Sequence, residues 1–142
     1  MNRALLDANV LIALSWPAHV SHGAAQGWFS RNAHRGWATC PITQSAFVRV
    51  LSNPAFSRSA LTPQQALAIL ETNLTHPDHH FWPDDLSLVN ALSRTKGIAG
   101  HGQITDAYLL ALATHHRGTL ATFDRALREL AKLMGISVEV ID

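Results

Sequence analysis

Five short segments rich in apolar residues, 3–6, 36–39, 79–83, 119–123 and 137–141, punctuate the chain, and helical sequence separates each from the next. Helices are predicted over 8–15, 18–35, 41–52, 62–74, 86–95, 105 to about 116, and 125–134. Several carry their own punctuation. Pro41 and Pro63 suit a first helical turn, Thr62 is placed as an N-cap, and Asn53-Pro54 stops the third helix. The stretch 96–103, "KGIAGHGQ", reads as a loop. Strands that alternate with helices along the whole length form a parallel sheet covered by helices on both faces, an α/β architecture. With 142 residues and no repeat, low-complexity tract or linker, residues 1–142 are expected to fold as a single domain.

Composition narrows the class. Apolar residues make up 47% and charged residues 15%, which argues against disorder. No apolar run approaches the roughly 18–20 residues needed to span a bilayer, and "MNRALLDANVLIAL" lacks a signal-peptide cleavage pattern. A soluble cytoplasmic protein without membrane contact is the expectation. The formal net charge of +1 does not announce a nucleic-acid binder, so any such binding must come from local placement. Cys40 stands alone and reads as a small buried hydrophobe. Among nine histidines, the pairs His19 with His22, His79 with His80, and His115 with His116 invite a metal reading. None is completed by Cys or Glu at a zinc-motif spacing, so solvated or helix-end roles are expected for them.

The acidic residues carry more information. In parallel α/β sheets ligands gather at the carboxyl ends of the strands, near a switch in strand order. Asp7 directly follows segment 3–6, Asp124 directly follows 119–123, and Asp106 opens the apolar helix between. Each alone could be a helix cap or a complement to a helix dipole. Three of the chain's ten carboxylates on one rim repel each other unless a cation neutralises them, and hard oxygen ligands suit Mg²⁺ or Mn²⁺. On helix 41–52, Gln44 shares a stripe with Phe47, Val48 and Leu51, and is expected to point toward the same rim. An internal hydrogen bond is the alternative for its amide.

Together, "LLDANVLIAL", "WATCPITQSAFVRVLSNP", "FWPDDLSLV" and "ITDAYLLALATHHRGTLATFDRAL" resemble the PIN-domain ribonucleases, and more closely the VapC toxins of bacterial toxin–antitoxin pairs. The resemblance covers essentially the whole chain. It implies a three-layer α/β/α sandwich around a parallel sheet of about five strands, and an acidic cluster that binds Mg²⁺ or Mn²⁺. The family's first, third and fourth acidic residues fall on Asp7, Asp106 and Asp124, and its second, a glutamate, falls on Gln44. An amide there brings no negative charge and cannot share a proton.

Metal-assisted phosphodiester hydrolysis is the implied chemistry. Asp7 and Asp106 would be the principal metal ligands, with Asp124 assisting and position 44 acting on the nucleophilic water. Asn9 and Thr122 are candidate supporting donors. Because an acidic pocket repels RNA, cations must hold the phosphates, and Arg49, Arg94, Lys96, Arg117, Arg125 and Arg128 are the candidates. Trp16 could stack on a base, sit in a dimer contact, or simply pack. The resemblance further implies a homodimer, a cognate VapB-type antitoxin and a structured RNA substrate such as tRNA. The other readings are a catalytically inactive PIN-fold module that binds RNA or antitoxin, and a phosphatase with Asp7 as nucleophile.

Overall fold

A computed structural model describes residues 2–56, 58, 60–93, 98 and 100–142. The predicted alternation is present in the order β1 (Ala4–Leu6), α1 (Ala8–Ser15), α2 (His22–Asn32), β2 (Trp37–Thr39), α3 (Pro41–Leu51), α4 (Pro63–Asn73), β3 (His79–Phe81), α5 (Leu88–Leu92), α6 (Ile104–His115), β4 (Thr119–Thr122), α7 (Leu127–Met134) and β5 (Val138–Val140). All strand pairings are parallel, in the order β3-β2-β1-β4-β5.

Side-chain alternation along the central strands builds the three layers. Leu5 and Leu120 turn to one face, where they meet Tyr108, Leu109, Leu112 and Leu130 from α6 and α7. Ala4, Leu6 and Ala121 turn to the other, where they meet Val10, Trp28, Phe47 and Leu70 from α1 to α4. A strand buried on both faces has no polar side, which is why these segments read as short continuous apolar runs. Cys40 is fully buried, as expected.

Local chemistry sets the element ends. Thr62 Oγ1 accepts from the Gln65 amide at 3.1 Å and Gln65 Oε1 accepts from the Thr62 amide at 2.9 Å, a closed capping box ahead of Pro63. The helix expected over 18–35 is shorter. It starts at His22 and tightens into a 3-10 turn over Ala33–Arg35, because Gly36 at φ 92° turns the chain out of the helix. The helix expected from 86 starts at Leu88, where Ser87 Oγ caps the Asn90 amide at 3.1 Å. Its expected end at 95 and part of the expected 96–103 loop lie outside the described residues.

The sheet grows from β1 through β2 to β3 on one side and through β4 to β5 on the other, which leaves a switch in strand order between β1 and β4. The residues that follow these two strands therefore flank a ready-made crevice. Among the described residues, no helix is long and apolar enough to cross a membrane.

Candidate active site

Asp7 sits where β1 becomes α1, with its backbone amide donating to the Ala121 carbonyl of β4 at 2.9 Å. Its carboxylate is engaged at both oxygens: Oδ1 accepts from the Ala8 amide at 2.8 Å and Oδ2 from the Thr122 hydroxyl at 2.7 Å. The capping reading of Asp7 is thus correct as local structure. It leaves open the remaining lone pairs of two oxygens, and a carboxylate can cap and coordinate at once.

Thr122 is the hub of this corner. Fully buried at the end of β4, its Oγ1 donates to Asp7 and accepts from Asn9 Nδ2 at 3.2 Å and from the Asp124 amide at 3.1 Å. Asn9 Oδ1 accepts in turn from the Phe123 amide at 3.3 Å. Asn9 and Thr122, the candidate supporting donors, thus lie in one hydrogen-bond network with Asp7. It fixes the β4–α7 turn, and with it Asp124, whose Oδ1 accepts from the Ala126 amide at 3.0 Å.

Asp106 arrives from the opposite layer, on the first turn of α6. Burial, followed by the charges of Asp7 and Asp124, pushes its carboxyl up to about 6. Asp7 is also raised, chiefly by burial and further by Asp124, although its bonds to Thr122 and Ala8 pull the other way. The three carboxylates therefore feel one another, and Asp7 and Asp106 line one cavity of about 380 Å³ with Thr43, Ser45, Arg49 and Thr105. A donor set made only of carboxylate and hydroxyl oxygens, with ionisation opposed by burial and like charge, fits a hard divalent cation.

Gln44 is oriented differently from the sequence expectation. Its Nε2 donates to Thr39 Oγ1 at 2.9 Å, and Gln44 is not among the residues lining that cavity. Thr39 is fully buried and lies 2.7 Å from His79 Nε2, so the amide closes a chain that runs from α3 through β2 to β3. Burial pushes the His79 ring down, which favours a neutral imidazole that accepts from Thr39. Phe47 and Leu51 do face the core, so the stripe is real, and its polar member is tied through its amide nitrogen to Thr39 at the carboxyl end of β2, the internal hydrogen bond that is its alternative.

The cationic candidates separate by position. Arg49 is exposed and lines the acidic cavity. Arg125 and Arg128 stand on the segment after Asp124, and both reach Asp142 Oδ1, at 3.9 and 3.7 Å. Arg117 follows the far end of α6 and does not join the rim. Arg94 and Lys96 lie outside the described residues. Trp16 packs edge-on against Phe56, with ring centroids 5.5 Å apart.

Residues 4–133 match the family model of the PIN domain. Over 129 residues the chain is 46% identical to Ribonuclease VapC39 of Mycobacterium tuberculosis strain H37Rv, covering 90% of this chain and 93% of that protein. It is 43% identical to Ribonuclease VapC38 of the same strain, covering 91% and 90%. Its fold resembles a chain in the crystal structure of VapBC2 from Rickettsia felis bound to a promoter DNA fragment, with a TM-score of 0.68, 13% identity and 99% of each chain covered.

Proposed function

This chain belongs to the PIN-domain family, and from that premise we propose that it is a divalent-metal-dependent ribonuclease, the toxin of a VapBC-type pair. The observation that carries the reading is the meeting of Asp7 and Asp106 in one cavity at the β1/β4 switch, with Asp124 close enough to raise both. A cation with that preference for oxygen, Mg²⁺ or Mn²⁺, supplies Lewis-acid stabilisation of a phosphodiester in hydrolysis and lowers the pKa of water.

The chain's own groups have separable tasks. Asp7 and Asp106 would hold the cation, and Asp124 would add charge from the exposed side. Thr122 fixes the Asp7 carboxylate by donating to Oδ2, so that its free lone pairs face the cavity in one orientation. Asn9 braces Thr122 and the following turn. Arg49, at the cavity wall, meets a phosphate, and Arg125 and Arg128 extend the positive border beyond Asp124. Gln44 acts indirectly, by tying α3 to Thr39. The substrate is RNA with tertiary structure, for which a tRNA pool is the natural first assay, and the partner is a VapB-type antitoxin. A homodimer and a cytoplasmic location complete the reading.

The test compares the parent with Asp7→Asn on RNA in Mn²⁺ and in EDTA. Cleavage is expected in Mn²⁺ alone, leaving 5′-phosphate and 3′-hydroxyl ends, with Asp7→Asn slower by about 10³-fold, the scale of a lost electrostatic contact at the reacting charge. Cleavage that persists in EDTA and leaves 2′,3′-cyclic phosphates would overturn it, since that product marks attack by the RNA's own hydroxyl.

A further inference from the structure

At the far end of α6, away from the acidic cavity, Asp85, His115 and His116 each present a ligand atom within 4.8 Å of the other two. Asp85 Oδ1 lies 2.9 Å from His116 Nε2 and 3.5 Å from His115 Nε2. We propose that this cluster is a second metal site, for a transition-metal ion of the Zn²⁺ class.

The spacing suits such an ion. Ligands bound at about 2.0–2.1 Å in a tetrahedron stand about 3.3 Å from each other. Two imidazole nitrogens and one carboxylate oxygen are the donors that Zn²⁺, Co²⁺ or Ni²⁺ prefer over Mg²⁺. The acidic rim, made of oxygen alone, has the reverse preference. Three protein ligands leave a coordination position for water. Solvent reaches that position because the Asp85 and His115 side chains are 49% and 42% exposed.

The two histidines are held by the way α6 ends. The Gly118 amide donates to the Ala113 carbonyl at 2.7 Å and the Arg117 amide to the Thr114 carbonyl at 2.9 Å, a Schellman closure that places His116 at the C-cap. Arg117 pays for that turn with φ 61°, in a place where α7 uses Gly135. The His116 ring lies flat on buried Trp82, with centroids 4.9 Å apart and planes 13° apart. His115 meets His116 edge-on at 5.2 Å. The carbonyl end of α6 adds partial negative charge, which favours a cation. Asp85 comes from the segment after β3, so an ion here would staple that segment to α6. His116 Nε2 also meets Asp85 and the Pro83 carbonyl, the latter at 3.2 Å, as a hydrogen-bonded latch.

Zn²⁺ added to the EDTA-treated, desalted full chain distinguishes ion from latch. Calorimetry on the Asp7→Asn/Asp106→Asn double variant, which lacks the acidic-rim ligands, is expected to give one site per chain, and His115→Ala and Asp85→Asn are compared in that background. Affinity should fall about tenfold or more in His115→Ala and in Asp85→Asn, since even supporting contacts of a metal ligand cost that much. Both residues are exposed, and the thermal midpoint without metal confirms that each variant is folded. Ring-nitrogen NMR of the same samples should show Zn²⁺ moving the Nε2 resonances of both His115 and His116. Zn²⁺ that shifts neither ring, or that binds the two single variants as tightly as the parent, overturns the site and leaves the latch.

Discussion

At its N-terminal end α6 presents Asp106, half-buried among like charges, while at its C-terminal end it closes on a Schellman turn, a stacked ring and a hydrogen bond to the segment after β3. A helix dipole favours negative charge at the first end and positive charge at the second, so both ends carry groups of the favoured kind. Yet Asp106 is held up at about 6, which means that burial and its acidic neighbours outweigh the dipole. One end of the helix is arranged for stability and the other is strained electrostatically, as a site that waits for a cation should be.

Gly118→Ala is the sharpest way to break the stable end. A Cβ there would stand 2.5 Å from the Arg3 carbonyl oxygen and 2.4 Å from Trp82 Cη2, and the former is backbone that cannot swing aside. We expect a loss of about 2–3 kcal/mol, the upper range for overpacking. That corresponds to roughly 5–10 °C in thermal midpoint. An unchanged midpoint would show that β1 and the Trp82 ring yield easily, and the contrast between the ends would weaken.

Asp106→Asn probes the strained end with the opposite sign. A carboxyl held at about 6 in the folded protein binds its proton more tightly there than in the unfolded chain, where about 3.9 is usual. The folded state is therefore unpenalised below about pH 4, loses stability as pH rises through about 6, and carries the full cost above that. Solvent screening at a half-buried group leaves about 1 kcal/mol of this, or about 3 °C. In EDTA at pH 7.5 the variant should melt that much above the parent, with the gap closing at pH 4. A variant that melts lower at pH 7.5 would make Asp106 a dipole-complementing residue and nothing more.

A stability effect of similar size, with the smallest change in cleavage, is expected beside that end. Gln44→Glu cannot donate to Thr39 Oγ1, so it should lower the thermal midpoint by a few degrees, in keeping with about 1 kcal/mol for a lost hydrogen bond. Cleavage in Mn²⁺ should change by less than about tenfold. A gain of about 10²-fold, the scale of a positioned general base, would mean that a carboxylate at 44 leaves Thr39 for the rim.

What was legible in the sequence depended on how local its physical cause is. Asp7 could be placed because it directly follows a strand, Asp124 because it follows one after a single intervening residue, and Asp106 because it opens a helix leading to one. Gln44 could be assigned to a stripe, but the direction of its amide depends on Thr39, a strand residue whose hydroxyl needs a partner because it is fully buried. The histidine pair at 115 and 116 is not completed at any motif spacing in the sequence. Its third member, Asp85, is brought in by packing of the post-β3 segment from thirty residues away. Arg117 looked like a phosphate contact because it lies between two acidic motifs in sequence, whereas a helix of 12 residues separates it in space from the rim by about 18 Å.

The pairing of β1 with β4 also sets a time order on biosynthesis. Asp7 emerges well before the strand that accommodates its corner and the hydroxyl that orients its carboxylate, Thr122, which comes 115 residues later. At about 5–20 residues per second a ribosome takes roughly 6 to 23 seconds to cover that interval. Throughout it the chain has no assembled cavity, because the central pair of the sheet, β1 with β4, is incomplete. The acidic corner is thus a late part of the fold to assemble.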